Sequence, residues 1–528
     1  MLNPTRASDA LRRRPESGTV PTGRRMMRPI RLMALAAVLV GVGMPVARAA
    51  MPEDQAVLEV RAKQFARAVS TGRPEEMERL VKEHFSPEMQ KIPMPAHIGI
   101  QMTYWDQTRG FDVVRLEHSS LPAYQSFVVI RNHLTRHENL ILMRVEPEAP
   151  HRITTVLPVG LIKEGQPIQM PHPPAPARPR SNSQIARELD GYMKRLVQAD
   201  VFSGVVLLAK DGEVVFQRAY GQADKEAGIA NGIDTRFALA SMHKMVTGVA
   251  IAQLVAKGKL SYEDPLSKFF PGAPEGSPFT RIRIKHLVSH TSGLSFWFSK
   301  DNPFDFSGGP PQTADGILQA ASGEKLLFEP GTRLQYSNLG FHVLGPVIEK
   351  ASGMSYADYV HEYIYKPAGM ENGDPPKDPG GAAFAFSYQK QFDEHGQPRF
   401  HRSAYAVPYA GPGNAAGGGY ATAADLLRFD QALHSGKLLS RADVQSVLSP
   451  KPELGANDYG YGFDVDPGRG SAGHSGGAEG VSNNFEMFLR SGWTVVVMSN
   501  YAENGFDACE PVVREIRQLL AARPSPAK

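Results

Sequence analysis

Two pairs of short apolar runs stand at opposite ends of residues 184–528, and they restrict the possible folds more than any other feature of the chain. Val205 to Ala209 and Glu213 to Ala219 flank Lys210-Asp211-Gly212, the D-G signal of a tight hairpin. Asn484 to Leu489 and Trp493 to Met498 flank Ser491-Gly492, and Glu510 to Ala521 follows with helical spacing. An amphipathic helix over Ile185 to Val197 leads into the first pair. The sequence between the pairs is mainly helical and loop-like. Strands at both ends of one unit predict a single sheet built from both termini, with the helix-rich middle as a separate subdomain. No internal repeat is present.

A chain of 528 residues is long enough for two or three domains. Residues 1–49 read as a signal peptide. Arg24, Arg25, Arg28 and Arg31 precede the apolar run Leu32 to Val46, and Ala47-Arg48-Ala49 has the form of a cleavage site. The run is short for a membrane span, so no stable span is expected after cleavage, and the mature protein is expected to be secreted or periplasmic. These residues hold nine arginines and two acids, a local balance of +7 within a total of +4, so the remainder carries −3. That balance argues against a basic nucleic-acid-binding surface.

Residues 50–165 read as a small α+β domain. Helical spacing over Asp54 to Ser70 and Pro74 to Glu83 is followed by strand-like runs at Phe111 to Leu116, Tyr124 to Ile130 and Leu140 to Val145. His118, His133 and His137 are not at metal-ligand spacing and are expected to be solvated. Residues 166–183 form a linker whose prolines, from Pro167 to Pro179, predict an extended, semi-rigid spacer. The lone cysteine, Cys509, rules out an intramolecular disulfide and is expected to be a packed thiol near the last helix.

The chemistry-bearing stretches fall within residues 184–528. Ser241 and Lys244 are three residues apart, which on a helix puts them on one face. A serine hydroxyl needs a partner to take its proton, and a lysine with a depressed pKa can be that partner. Asp234 or Thr235 is positioned to cap the incoming turn, the apolar run Met245 to Val255 predicts a buried helix, and Gly258 marks its end. Downstream come Tyr336-Ser337-Asn338, then Gly417-Gly418-Gly419, then Gly473-His474-Ser475-Gly476-Gly477. The glycine run lacks the G-K-[ST] ending of a phosphate loop, while Thr422 and Asp425 read as a reciprocal helix cap. His243 lies on a different helix face from Ser241 and Lys244, and is expected to pack or to line the cleft edge. His290, before the tight-turn sequence Thr291-Ser292-Gly293, is expected to be structural. No H-E-x-x-H motif is present, and no metal or cofactor is expected.

The order S-x-x-K, Y-x-N, H-x-G, together with Leu287 to Leu294 and the glycine run, resembles the serine β-lactamase and penicillin-binding protein superfamily, in particular its class C β-lactamase and esterase branch. The resemblance covers roughly residues 184 to 522. It implies an α/β (α+β) fold, an antiparallel sheet flanked by helices with a helical subdomain, here preceded by the small α+β domain. The run Glu146 to Ile153 that closes that first domain resembles a small cone-shaped domain, similar to nuclear transport factor 2, found ahead of some secreted serine hydrolase domains.

The resemblance implies that Ser241 forms an acyl-enzyme and that Lys244 takes or relays its proton. It implies Tyr336 as a second proton carrier, with either Lys244 or Tyr336 as the principal base. Asn338 would orient Lys244 and bind substrate, and the backbone N–H groups of Ser241 and Gly477 would form the oxyanion hole beside Gly476. At His474 the best-known β-lactamases carry lysine; histidine is mostly neutral above neutrality, so capture of a β-lactam carboxylate is expected to be weaker. The implied function is a secreted serine hydrolase acting on a small-molecule ester, amide or D-amino-acid peptide. A true β-lactamase, or a sensor acylated by penicillin without efficient turnover, is the other activity the resemblance allows.

Overall fold

The computed structural model describes residues 52–117, 121–158, 180–296, 313–371, 373, 384–403, 414–503 and 506–521. Residues 1–49, read above as a signal peptide, His118 and most of the proline-rich stretch lie outside them. Ala49–Lys528 form one compact unit.

The chain enters through three helices, α1 (Pro52–Ser70), α2 (Pro74–His84) and α3 (Met94–Thr108). Four strands follow, β1 (Phe111–Glu117), β2 (Gln125–Asn132), β3 (Glu138–Val145) and β4 (Ile153–Pro158), paired antiparallel in the order 1-2-3-4. Leu58, Phe65 and Val69 of α1 pack on Val128, Ile130, Ile141 and Met143 of the sheet. Helix α3 and strand β4 were not evident from the sequence. Helix α3 buries His97, Gln101, Asp106 and Thr108, so it has no clean polar stripe for a periodicity argument to detect.

The larger part opens with α4 (Asn182–Gln198), whose cap starts inside the stretch expected to be spacer. Ser181 Oγ accepts from Gln184 N at 3.3 Å and Gln184 Oε1 accepts from Ser181 N at 2.8 Å, a reciprocal capping box. Strands β5 (Gly204–Lys210) and β6 (Glu213–Tyr220) follow, then α5 (His243–Ala256) and α6 (Asn338–Ser352). A hairpin β7 (Tyr388–Phe392) and β8 (Pro398–Arg402) precedes α7 (Ala423–His434). The chain closes with β9 (Asp464–Asp466), β10 (Ser471–Ala478), β11 (Val481–Phe488), β12 (Trp493–Ser499) and α8 (Glu510–Leu520).

The two hairpins found in the sequence meet in one antiparallel sheet of order β9-β10-β11-β12-β5-β6. Val205 and Leu207 face α5, while Val206 and Leu208 face α4 and α8, so both faces are covered and the strand reads as a continuous apolar run. Cys509 is fully buried at the head of α8, as expected of a packed thiol.

The first four-stranded layer and the larger part are joined by buried charge. Lys390 Nζ of β7 lies 2.7 and 2.8 Å from the two carboxylate oxygens of Asp106 on α3, and the side chains are 4% and 2% exposed. Arg109 Nη1 donates to the same carboxylate at 2.9 Å. Contrary to expectation, His137 is buried and its Nε2 lies 2.8 Å from Glu515 Oε2 on α8; His133, at the surface, lies 3.2 Å from Asp112. Removing one partner of a buried pair leaves the other charge uncompensated. Asp106→Ala is therefore expected to cost about 3–5 kcal/mol in chemical denaturation. The double variant Asp106→Leu/Lys390→Met should recover most of that loss, because neither Asp106 nor Lys390 is left as an unpaired buried ion and the more exposed Arg109 keeps its backbone acceptors at residue 106 and Ala199.

Among the described residues no helix is long and apolar enough to cross a membrane. Nor is any group of three or more His, Cys, Asp or Glu arranged to hold a metal ion.

Candidate active site

Ser241 lies in a 3-10 turn, Ala240–Met242, immediately before α5. The turn is not capped by Asp234 or Thr235: Thr235 Oγ1 instead accepts from Gly232 N at 2.8 Å and closes its own loop. What sets the approach to Ser241 is Ala240, a non-glycine residue at φ 48°, in the sparsely populated left-handed region. The glycine run explains how that backbone is held. Gly419, at φ 71°, presents its carbonyl to Leu239 N at 3.0 Å. The run supports the Ser241 turn, and the helix after it starts at the predicted box, with Thr422 Oγ1 accepting from Asp425 N at 3.1 Å.

Lys244 is the second residue of a helix buried on almost every face and is itself fully buried. Its Nζ lies 3.1 Å from Ser241 Oγ and 2.8 Å from Asn338 Oδ1, and it also donates to the carbonyl of Ala416. Burial drives its pKa well below the usual lysine value, against a smaller opposing pull from Asp464. Ala416 was not foreseen as a partner, since any residue type can offer a carbonyl there.

Tyr336, Ser337 and Asn338 form the entry to α6. Ser337 caps the helix, accepting from Gly340 N at 2.9 Å and donating to Ser295 O at 2.6 Å. The Ser241 hydroxyl is near enough to the Tyr336 phenol to draw its pKa down, and the Lys244 amine lies 4.9 Å from the Tyr336 ring centroid. Burial pushes the phenol above its ordinary pKa, only partly offset by the Ser241 contact. The resting tyrosine is therefore protonated, while burial shifts Lys244 toward its neutral form.

Strand β10 passes alongside the serine turn. A side-chain carbon on Gly476 would come within 2.2 Å of Leu239 O, so only glycine allows this approach, whereas Gly477 faces open space. His474 takes a different place from that of an exposed cation in a cleft. Its side chain is 2% exposed, its Nε2 lies 3.0 Å from the Tyr459 hydroxyl, and burial lowers its pKa, partly opposed by Asp464. Tyr459 carried no signal in the sequence. His243 packs rather than lining the cleft: its Nε2 lies 2.7 Å from the Tyr365 hydroxyl and its Nδ1 2.9 Å from Asn414 O. That contact steadies the segment that carries the Ala416 carbonyl.

The 3-10 turn with the first turn of α5, one helix entry and one strand thus bring Ser241, Lys244, Tyr336, Asn338, Gly476 and Gly477 together, with His474 behind them. The model of the family described as Beta-lactamase matches residues 185–518. The chain belongs to this family. A penicillin-binding protein of Bacillus subtilis is 30% identical over 332 residues, 60% of this chain and 72% of that protein. Esterase EstB of Burkholderia gladioli is 29% identical over 388 residues, 65% of this chain and 96% of the esterase. The crystal structure of a penicillin-binding protein from Bacillus halodurans superposes with a TM-score of 0.50 at 28% identity, covering 63% of this chain and 98% of that one.

Proposed function

We propose that the protein is an exported hydrolase that forms an acyl-enzyme on Ser241 and turns over a neutral ester, an amide or a D-amino-acid-containing peptide. The observation that carries this reading is the arrangement around the Lys244 amine. Asn338 Oδ1 and the Ala416 carbonyl only accept hydrogen bonds, so they occupy two N–H groups of a neutral amine. Nζ also lies 3.1 Å from Ser241 Oγ, to which it donates when charged; in the neutral amine the lone pair is left on that side to take the Ser241 proton.

As Ser241 Oγ bonds to the substrate carbonyl carbon, its proton passes to Lys244 Nζ. The oxyanion would be held by the backbone N–H groups of Ser241 and Gly477. Tyr336, protonated at rest, donates its proton to the leaving group as the acyl bond breaks, and recovers one from Lys244. Water then cleaves the acyl-serine by the reverse order of proton transfers. These steps use side chains, backbone and water. The buried, neutral His474 supplies no fixed positive charge for a substrate carboxylate, which favours uncharged acyl groups over anionic β-lactams. The esterase relative supports the same direction. Export, to the periplasm or beyond the cell, rests on the leader over residues 1–49.

A panel of a nitrophenyl ester, a D-alanyl peptide and a fluorescent penicillin on one preparation tests the reading. Turnover of the ester or the peptide past the first equivalent is expected, and it should be lost in Ser241→Ala. Stoichiometric labelling by the penicillin without turnover of any substrate would replace it with an acylated sensor.

A further inference from the structure

The motif Leu287 to Leu294 is not accounted for by the acylation chemistry, yet its histidine touches the Tyr336 segment at three points. The His290 carbonyl accepts from Gln335 N at 2.8 Å. Its ring Nδ1 accepts from Ser337 N at 3.0 Å. Its ring packs on the Tyr336 ring at a centroid distance of 4.2 Å. One residue therefore holds the peptide N–H groups on both sides of Tyr336 and the aromatic face between them, as a neighbouring strand would, but with a side-chain nitrogen replacing one carbonyl.

The arrangement is built at a cost. His290 adopts φ 59°, left-handed backbone that is unfavourable for histidine. Because Nδ1 accepts from a peptide N–H, the ring is neutral and its proton is on Nε2. That buried nitrogen has no hydrogen-bond partner among the described residues, and the ring is boxed by Tyr336, Phe341 and Tyr459. Burial, with Lys244 and His474 nearby, holds the ring neutral. A strained backbone and an orphaned donor in one residue, packed on the proposed proton carrier, are features retained where they fix a geometry.

We infer that His290 is a positioning residue for the reaction: its ring nitrogen and carbonyl clamp the backbone on either side of Tyr336 and set the phenol's approach to Ser241. This rests on the reading of Ser241 and Tyr336 given above. Substitutions separate its parts. Asparagine tolerates left-handed backbone and offers Oδ1 as the replacement acceptor; phenylalanine keeps the aromatic contact but accepts nothing; glycine relieves the strain and removes both contacts.

The test measures kcat and KM on a nitrophenyl ester for His290→Asn, His290→Phe and His290→Gly, with thermal unfolding as a check on folding. His290→Phe and His290→Gly are expected to lose about 10–100-fold in kcat, the range of a misplaced proton carrier, with KM within about 3-fold. His290→Asn should keep kcat within about 3-fold of the parent. Folded His290→Phe or His290→Gly with parental kcat overturns the inference. So does His290→Asn as impaired as His290→Gly, or a loss that appears in KM alone. Should His290→Phe fail to fold, the comparison of His290→Asn with His290→Gly still decides. Fluorophosphonate labelling of Ser241 in each variant reports separately on the underlying reading: labelling that survives Ser241→Ala would sink that reading and not the clamp.

Discussion

Ser241→Ala is expected to abolish covalent labelling by a fluorophosphonate and to lower ester turnover by about 10⁴-fold or more, the scale seen when a hydrolase loses its nucleophile. The substitution removes one oxygen from a turn whose shape is set elsewhere, by Ala240 in left-handed backbone and by the Gly419 carbonyl on Leu239 N. Folding and substrate binding should therefore be nearly unchanged, and thermal unfolding should match the parent closely. Any residual rate would come from binding and oxyanion stabilisation alone. Labelling at another residue, or a loss under 10-fold in a folded variant, would remove Ser241 from the mechanism.

Lys244→Met carries the second large effect, about 10²–10⁴-fold in kcat, the usual contribution of a positioned general base. Methionine has nearly the same length and suits the apolar surroundings, but it cannot take the Ser241 proton and it leaves Asn338 Oδ1 and the Ala416 carbonyl without their donor. The pH profile gives a sharper test than the magnitude. In the proposed mechanism Lys244 takes part as the neutral amine, and burial lowers its pKa well below the ordinary value of about 10.4. Activity should thus fall as pH drops through that depressed pKa and hold above it. Tyr336 acts as the protonated phenol, and burial raises its pKa, so the alkaline limb should lie above the ordinary phenol value of about 10. An acid limb that persists unchanged in the residual activity of Lys244→Met would assign it to another group.

The part of the fold set by local chemistry could be read directly. The D-G turn at Asp211-Gly212, the continuous apolar run of β5 and the reciprocal cap at Thr422 and Asp425 each depend on residues within one short stretch. The spacing of Ser241 and Lys244 belongs to the same class, though the serine occupies a 3-10 turn and only the lysine is on the α-helix proper. Residues from three separated motifs could be proposed together because their order resembled a known superfamily, not because local pattern joined them.

Other features could not be read in this way. Asp106 and Lys390 look like ordinary surface charges in the sequence, and only the packing of α3 against the β7–β8 hairpin makes them a buried pair. His474 reads as an available imidazole, and Tyr459 together with the surrounding core turns it inward. His290 reads as a turn residue, and its grip on the Tyr336 segment exists only because two distant stretches run side by side. The sequence by itself determined the two hairpins of the large sheet, the cap at Thr422 and Asp425 and which side chains are suited to acyl transfer, since those depend on neighbours along the chain. The tertiary structure alone decided which charges are buried, which carbonyl occupies the Lys244 amine and which histidine holds Tyr336. Those depend on long-range burial and on backbone acceptors that every residue type carries alike.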